Sequence, residues 1–383
     1  VLDDGSNLQN KDTVYPAPGL SATNTVRVGD EVLPFDAVLG YGFSKYRVHP
    51  LTEPVFVSTN PRTEQPVISK GDYRIASINV LNYFNGDGAG NGFPTSRGAS
   101  TAAEFAKQRD KIIAAISAMN ADLVGLLEIE NDGFAEQSAI ADLVRGLNEK
   151  AGADLWAFVD FNVAKVGTDE ITSAMIYRKD KVVQAGVASI GNAAPFDYGN
   201  RPLISQSFKL EQSGELLNLT VVHLKSKGSC PKQSGPDSDL NDGQGCWTPT
   251  RVAAAKALTE WLNTEPTGID TDYVLVMGDL NAYRMEAPLQ YLEQNGWQHL
   301  APKDAVHSSF VYRGRSGTLD HALASPQLKA KLQQFHHWGI NADEPAVLDY
   351  NTEFKSKAQQ QSLYAPNPYR SSDHDPLYMD FKF

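Results

Sequence analysis

The stretch Tyr273–Tyr283, YVLVMGDLNAY, constrains this chain more than any other. Val274, Leu275, Val276 and Met277 form a short continuous apolar run, the pattern of a strand buried on both faces. Gly278 interrupts it, and Asp279 and Asn281 follow two apart, so in extended geometry they point to the same side. A carboxylate and an amide oxygen placed together at a strand's exit can hold a hard cation, or a water next to a phosphate. Gly, Asp and Asn are also ordinary turn residues, so the stretch alone leaves a plain strand-to-turn reading open.

The texture around it is that of an α/β chain. YRIASINVLNYF, from Tyr73, reads as a strand with Ile75, Ser77 and Asn79 on one face and Ala76, Ile78 and Val80 on the other. After a glycine-rich loop, Thr101-x-x-Glu104 fits a capping box opening a helix whose Phe105, Ile112, Ile116 and Met119 share a face, with Asn120 at its end. DLVGLLEIEN, from Asp122, reads as a second buried strand. Ile140, Leu143, Val144 and Leu147 mark a second helix, ending before Gly152. Short strands dominate from Ala157 to His223. A helix capped by Thr248 and Pro249 precedes the anchor strand, and one from Pro288 to Asn295 follows it. TLDHALAS and PLYMDFKF read as late strands around a long, mostly polar segment, 336 to 370. Strand–helix alternation implies an α/β fold. Residues 1–68 differ: hairpin-like, without a helix, and closed by the linker PRTEQP, which divides the chain into 1–68 and 69–383.

Several apolar runs end in groups capable of chemistry: Asn79, Glu128, His223, then Asp279 with Asn281. Asp320 and His321 sit in TLDHA, and Asp373, His374 and Asp375 in SSDHDP. Each alone is more often a capped turn residue or a satisfied hydrogen bond, but strand ends on one edge of an α/β sheet gather ligand-binding groups. Carboxylates and amides suit Mg²⁺ or Mn²⁺, and histidines move protons or polarise a phosphoryl oxygen near neutral pH. Ser226 lacks a nucleophile elbow, the loop Gly86–Gly92 lacks the Gly-Lys-Ser/Thr ending of a phosphate-binding loop, and no HExxH zinc pattern occurs.

The net charge of −12 disfavours broad attraction to polyanions but leaves room for a local basic groove. No apolar run is long enough to span a membrane, and the first residues show no signal-peptide pattern. The two cysteines, Cys230 and Cys246, lie in a polar loop. They read as one disulfide, and so an oxidising compartment, with free or metal-binding thiols as the alternative.

From Tyr73 to the C-terminus the chain resembles the endonuclease/exonuclease/phosphatase superfamily. SINVLNYF, LLEIEN, VVHLKSKG, GDLNAY, GTLDHALAS and RSSDHDP occur in that family's order. NVLNYF, GTDEI, HLKSKG, NRP, DYN and RSSDHDP further resemble ExeM/NucH-type bacterial extracellular nucleases. In those, an oligonucleotide-fold-like module often precedes the catalytic domain; RVGDEV and YGFSKYRVHP resemble its end, although 1–68 is short for a whole barrel.

The resemblance implies a four-layer α/β sandwich, two sheets flanked by helices, with a small N-terminal β-rich extension. It implies Asn79, Glu128 and Asp373 on the metal side, with Glu128 the main ligand of Mg²⁺ or Mn²⁺ and Ca²⁺ as a structural helper. Asp279 and Asn281 position the attacking water and the phosphate, Asp320 orients His374 on the scissile phosphate, and His223 is the second histidine. Arg201 contacts the nucleic-acid backbone. Lys225 and Lys227, beside His223 in the sequence, read equally as binders of flanking phosphates and as ordinary solvated lysines. The carboxylate that pairs with the second histidine in pancreatic-type enzymes has no clear counterpart; Asp169 is the candidate. The implied activity is that of a secreted, monomeric, metal-dependent nuclease acting on extracellular DNA without sequence preference, passing the periplasm or cell surface before release. A phosphodiesterase or phosphatase acting on lipid head groups or small phosphoesters is the alternative, and a catalytically dead nucleic-acid-binding or matrix protein a second.

Overall fold

The computed structural model describes residues 1–11, 14–197, 200–302 and 308–383. The N-terminal part contributes β1 (Glu31–Val32), β2 (Ala37–Gly42), β3 (Lys45–Pro50) and β4 (Phe56–Val57). β1 pairs with β4 and β2 with β3, both antiparallel, and no barrel closes among the described residues. Phe43 and Ser44 turn the β2–β3 hairpin with φ of 51° and 60°, the left-handed pair that matches strand twist.

The rest runs β5 (Tyr73–Tyr83), α1 (Ala102–Met119), β6 (Leu123–Glu130), α2 (Ala139–Ala151), β7 (Trp156–Phe158), β8 (Ile171–Arg178), β9 (Val182–Gly191) and β10 (Leu203–Leu210). It continues with β11 (Leu216–His223), α3 (Thr248–Leu262), β12 (Tyr273–Asp279), α4 (Ala287–Gln294), β13 (Gln298–His299), β14 (Phe310–Tyr312), β15 (Arg315–Gly317) and β16 (Asp320–Ala324). α5 (Pro326–Lys329), β17 (Leu332–His337), α6 (Lys357–Ser362) and β18 (Leu377–Phe381) complete it. One sheet has the order β17-β18-β5-β6-β8-β7, the other β13-β16-β12-β11-β10-β9. Only β5/β6 and β11/β12 are parallel pairs within these two sheets.

The sheets face each other over a core in which Ile75, Leu127 and Met175 meet Val221, Leu275 and Met277. Gly125 permits the approach, since a Cβ there would lie 2.7 Å from Val221 Cγ2 and 2.8 Å from Met277 Cε. On the outer face of the first sheet, Ala76, Ile78 and Val80 pack against Ile112 and Ile116 of α1 and Ile140 and Leu143 of α2. On the outer face of the second, Val222 and Val276 pack against Ala255 and Leu258 of α3 and Leu289 and Leu292 of α4. The result is the helix–sheet–sheet–helix sandwich, and the apolar run in β12 is buried on both faces because it is central to one of the inner layers.

Local chemistry sets the boundaries. Thr101 Oγ1 accepts from Glu104 N at 3.1 Å, but Glu104 Oε2 takes Ser100 N at 2.9 Å, so only half of the expected capping box forms. Asn120 and Gly152 end α1 and α2 in the left-handed region. Thr248 lies inside α3, behind Trp247, and does not cap it. The long, mostly polar segment 336–370 begins with the end of β17 and holds α6 and a single 3₁₀ turn, Ala346–Leu348. Cys230 and Cys246 are bonded, with Cα atoms 5.5 Å apart. No helix among the described residues is long and apolar enough to cross a membrane.

Candidate active site

Strand register builds one half of the site. Parallel pairing of β11 with β12 sets His223 beside Asp279, and antiparallel pairing of β12 with β16 sets Asp279 beside Asp320. These three residues form a row across the edge of the second sheet. Gly278, beside it in β12 at φ of 141°, leaves no room for a side chain, since a Cβ would fall 2.1 Å from Val222 O.

The turn before β18 brings in His374. Its Nδ1 lies 2.7 Å from Asp320 Oδ2, and its Nε2 lies 4.0 Å from Asp279 Oδ2. Nδ1 therefore carries the proton donated to Asp320, leaving Nε2 turned toward Asp279. Ser309 Oγ donates to the same Asp320 oxygen at 2.6 Å, while accepting from Leu319 N and Asp320 N at 3.0 and 3.1 Å. The Phe310 ring covers the imidazole at 4.6 Å. Burial opposes charge on His374, but the carboxylates of Asp320 and Asp279 outweigh it and hold its pKa well above the ordinary histidine value. Burial, helped by the like charge of Asp320 and opposed by His374, pushes Asp279 up to about 7. His223 Nε2 lies 3.6 Å from Asp279 Oδ2, yet burial, with nearby Arg201, holds its pKa well below normal, so it stays neutral. Asn281, at φ of 48°, donates its backbone N–H to Asp279 Oδ1 at 2.8 Å and its Nδ2 to Leu224 O at 3.1 Å.

The first sheet supplies the other half. Glu128 sits on a bulge of β6, at φ of 63°, where pairing with β8 slips between Leu127 and Ile129. The bulge re-aims a side chain that regular alternation would place with Val124 and Leu126 on the outer, helix-covered face. A second irregularity follows Asn79 in β5, through Leu81 and Asn82 at φ of 52° and 50°. Burial and the like charge of Asp373 raise the Glu128 pKa. The buried Nδ2 of Asn79 makes no hydrogen bond by geometry, yet stands near enough to favour the charged carboxylate.

Glu128 and Asp373 are thus carboxylates close enough to repel, beside the Asn79 amide, whose Oδ1 accepts from Leu81 N at 2.9 Å. That donor set fits a hard divalent cation such as Mg²⁺ or Mn²⁺. Ligand atoms of Asp279, Asp320 and His374 also lie within 4.8 Å of one another, a group that could itself hold a cation. Two of its members are already bonded to each other, however, so it reads better as a relay than as a cage.

Cations border both halves. Arg201 is 8% exposed; its Nε lies 3.4 Å from Asp169 Oδ2 and its Nη1 donates to Leu224 O at 3.4 Å. Burial lowers its pKa, offset by Asp169, Glu128 and Asp279. Arg97, from the glycine-rich loop, takes the other Asp169 oxygen at 2.6 Å and is exposed. Lys225 lies over the Trp247 ring at 5.0 Å.

Two expectations are corrected. Asp169 does not partner His223: it holds Arg97 and Arg201, and His223 Nδ1 is buried without a hydrogen bond. Lys227 is not poised for a phosphate: its ammonium is bound to Glu286 Oε1 and, at 3.0 Å, to Gln244 O. Ser309, Phe310 and Arg97 were not singled out from the sequence. None lies in a recognisable string, and their places follow only from the packing of distant segments.

A family model described as "Endonuclease/Exonuclease/phosphatase family" matches residues 76–374. No curated protein matches. Among solved structures, the chain is similar to a mannosyl-6-phosphatase from Bacteroides thetaiotaomicron at 15% identity and a TM-score of 0.50, covering 82% of this chain and 100% of that one. It is similar to an endonuclease/exonuclease/phosphatase family protein of the same organism at 15% and 0.49, over 80% and 96%. A D. rerio TDP2 complexed with single-strand DNA product matches at 14% and 0.45, over 80% and 97%. Carried by a family match that spans most of the chain, and in keeping with the strand-edge site it encloses, the conclusion is that this chain belongs to the endonuclease/exonuclease/phosphatase family.

Proposed function

We propose that this chain is a divalent-metal-dependent phosphodiesterase that hydrolyses DNA outside the cell, largely without sequence preference. Its family comprises nucleases, phosphatases and phosphodiesterases, which act on phosphoester bonds and generally use divalent metals. The observation that carries the reading is the Ser309–Asp320–His374 relay, closed on one side by Asp279 and faced by the Glu128–Asp373 carboxylates.

Asp279, with a pKa of about 7, is poised to take a proton from a water aligned by Asn281. The charged His374 imidazole, fixed by Asp320, offers Nε2–H to the non-bridging oxygen on which charge accumulates. A divalent cation held by Glu128, with Asn79 and Asp373, supplies charge withdrawal from the phosphodiester when bound. His223, kept neutral, donates or accepts a hydrogen bond beside Asp279.

DNA is favoured as substrate by Arg97, Arg201 and Lys225 beside the site in a chain whose net charge is −12, so that attraction is local. The ExeM/NucH-type strings point the same way. The Cys230–Cys246 bond supports an oxidising, extracellular destination. The test is parallel incubation with Mg²⁺ of plasmid DNA, RNA, sphingomyelin and a phosphomonoester. Fastest loss of plasmid is expected; rapid sphingomyelin hydrolysis with intact plasmid would overturn the reading.

A further inference from the structure

Among the contacts the N-terminal part makes with the rest of the chain, those to the turn 339–344 reach a segment that also grips the loop carrying His374. Asn341 is fully buried; its Nδ2 donates to His374 O at 2.7 Å, and its Oδ1 accepts from Ser371 N at 2.8 Å. The next residue after His374 is held as firmly: Asp375 Oδ1 accepts from the backbone N–H groups of Ile340, Asn341 and Ala342 at 2.8, 2.6 and 3.2 Å. The carbonyl of His374 and the side chain of Asp375 thus both follow wherever the turn goes.

What fixes the turn comes from a distant stretch of sequence. Glu344, whose side chain is wholly buried, is bound by the fork of Arg62, Nε to Oε1 at 2.8 Å and Nη2 to Oε2 at 2.6 Å. Arg27 Nε pairs with Glu344 Oε1 at 3.0 Å, and Arg27 Nη2 donates to Gly339 O at the other end of the turn. Asn60 Nδ2 and Val28 N bond Asp343 at 2.8 and 3.0 Å. Arg62 also stacks on Tyr369 at 4.2 Å, just ahead of the His374 loop, and donates to Ala22 O. Paired charges withdrawn from water have one well-satisfied arrangement and few near-equivalents, so they specify position. A guanidinium fork adds a fixed plane that a lysine lacks.

We propose that Arg27 and Arg62, acting on Glu344, clamp the 339–344 turn and so position the His374 imidazole, which makes the N-terminal part a working component of the catalytic centre. The proposal deepens the phosphodiesterase reading and rests on it for the role of His374. The chain from clamp to imidazole is continuous: Arg62 and Arg27 to Glu344, Glu344 N to Asn341 O at 3.2 Å, Asn341 to His374, and His374 to Asp320.

The test compares the full chain with Arg62→Ala, Arg62→Lys and Glu344→Gln, using Phe43→Ala on the exposed hairpin tip as control. It reads kcat and KM on a phosphodiester with Mg²⁺, together with the ¹⁵N resonances of the His374 imidazole, assigned with His374→Gln. Folding is checked by circular dichroism well below each melting point. Arg62→Ala and Glu344→Gln are expected to lower kcat by about tenfold or more with KM within about twofold, as misplacement of a reacting group does, and to shift the His374 resonances. Arg62→Lys falls between, and Phe43→Ala matches the wild type. If Arg62→Ala does not fold, Arg62→Lys and Glu344→Gln carry the comparison. Wild-type kcat and unmoved resonances in the folded variants overturn the clamp. A wild-type chain that turns over no phosphoester removes the phosphodiesterase reading instead, while the resonances still decide whether the clamp sets the imidazole.

Discussion

Asp320 accepts from both Ser309 Oγ and His374 Nδ1 at one oxygen, so it fixes the direction and the charge of the imidazole. Asp320→Asn keeps the shape but removes the charge that holds the proton on His374. It is predicted to lower kcat by about 10²- to 10⁴-fold with a much smaller change in KM, measured by steady-state kinetics on a phosphodiester. Ser309→Ala removes the bond to the buried Asp320 carboxylate and the acceptor of Leu319 N and Asp320 N, and is predicted to reduce stability by at least about 2 kcal/mol, read by urea denaturation. A second buried pair makes a different prediction. His299 Nε2 and His321 Nδ1 lie 3.0 Å apart, with His321 Nε2 donating to Ala282 O. Burial pushes His299 down to about 2 and His321 to about 4. Both are neutral in the fold and take up protons on unfolding, so stability is complete above the ordinary histidine value and is lost as pH falls from there toward 4. The expected loss is about 2 kcal/mol per histidine at pH 5, measured as unfolding free energy against pH; a flat profile from pH 7 to 5 contradicts it. Asp279, Asn281 and His374 could be read from the sequence because each sits in a string whose neighbours define a strand end. Ser309 and Arg97 could not, because what places them at the site is a partner more than ten or seventy residues away, Asp320 and Asp169 respectively.

At the scale of elements, the long ones were predictable and the short ones were not. β5, β6 and β12 declare themselves by apolar runs or alternation, and α1 and α2 by an apolar stripe with polar caps. β13, β14 and β15 are two or three residues long, too short to show a period, and β17 reads LQQFHH, whose inner face rests on β18 for its definition. The bulge at Glu128 was equally hidden: a continuous run such as LLEIE does not reveal where one residue leaves the ladder. The Cys230–Cys246 bond ties down the polar loop that leads from β11 into α3. Alkylation of unreduced protein followed by mass spectrometry is expected to find no free thiol. Reduction is expected to cost about 3 kcal/mol, the chain-entropy value for a loop of this size, seen as a lower melting temperature. Two alkylatable thiols before reduction would contradict the bond.

On the whole-molecule scale, the two sheets each contribute half of the site. His223, Asp279 and Asp320 come from one; Asn79 and Glu128 come from the other, with Asp373 and His374 on the turn leading into it. Packing of the sheets through Gly125 is what brings the halves together, so the site exists only in the completed sandwich. The proposed phosphodiesterase centre at this assembled edge depends on a metal, with Glu128 as its main cation ligand. The most direct measurement is the rate of plasmid hydrolysis by the wild type and Glu128→Gln, first in excess EDTA and then with Mg²⁺ restored. The wild type is predicted to be inactive in EDTA and to recover with Mg²⁺, while Glu128→Gln, folded with a similar melting temperature, stays at least about 10³-fold slower. Full wild-type rate in excess EDTA, or a Glu128→Gln variant as fast as the wild type, would contradict it.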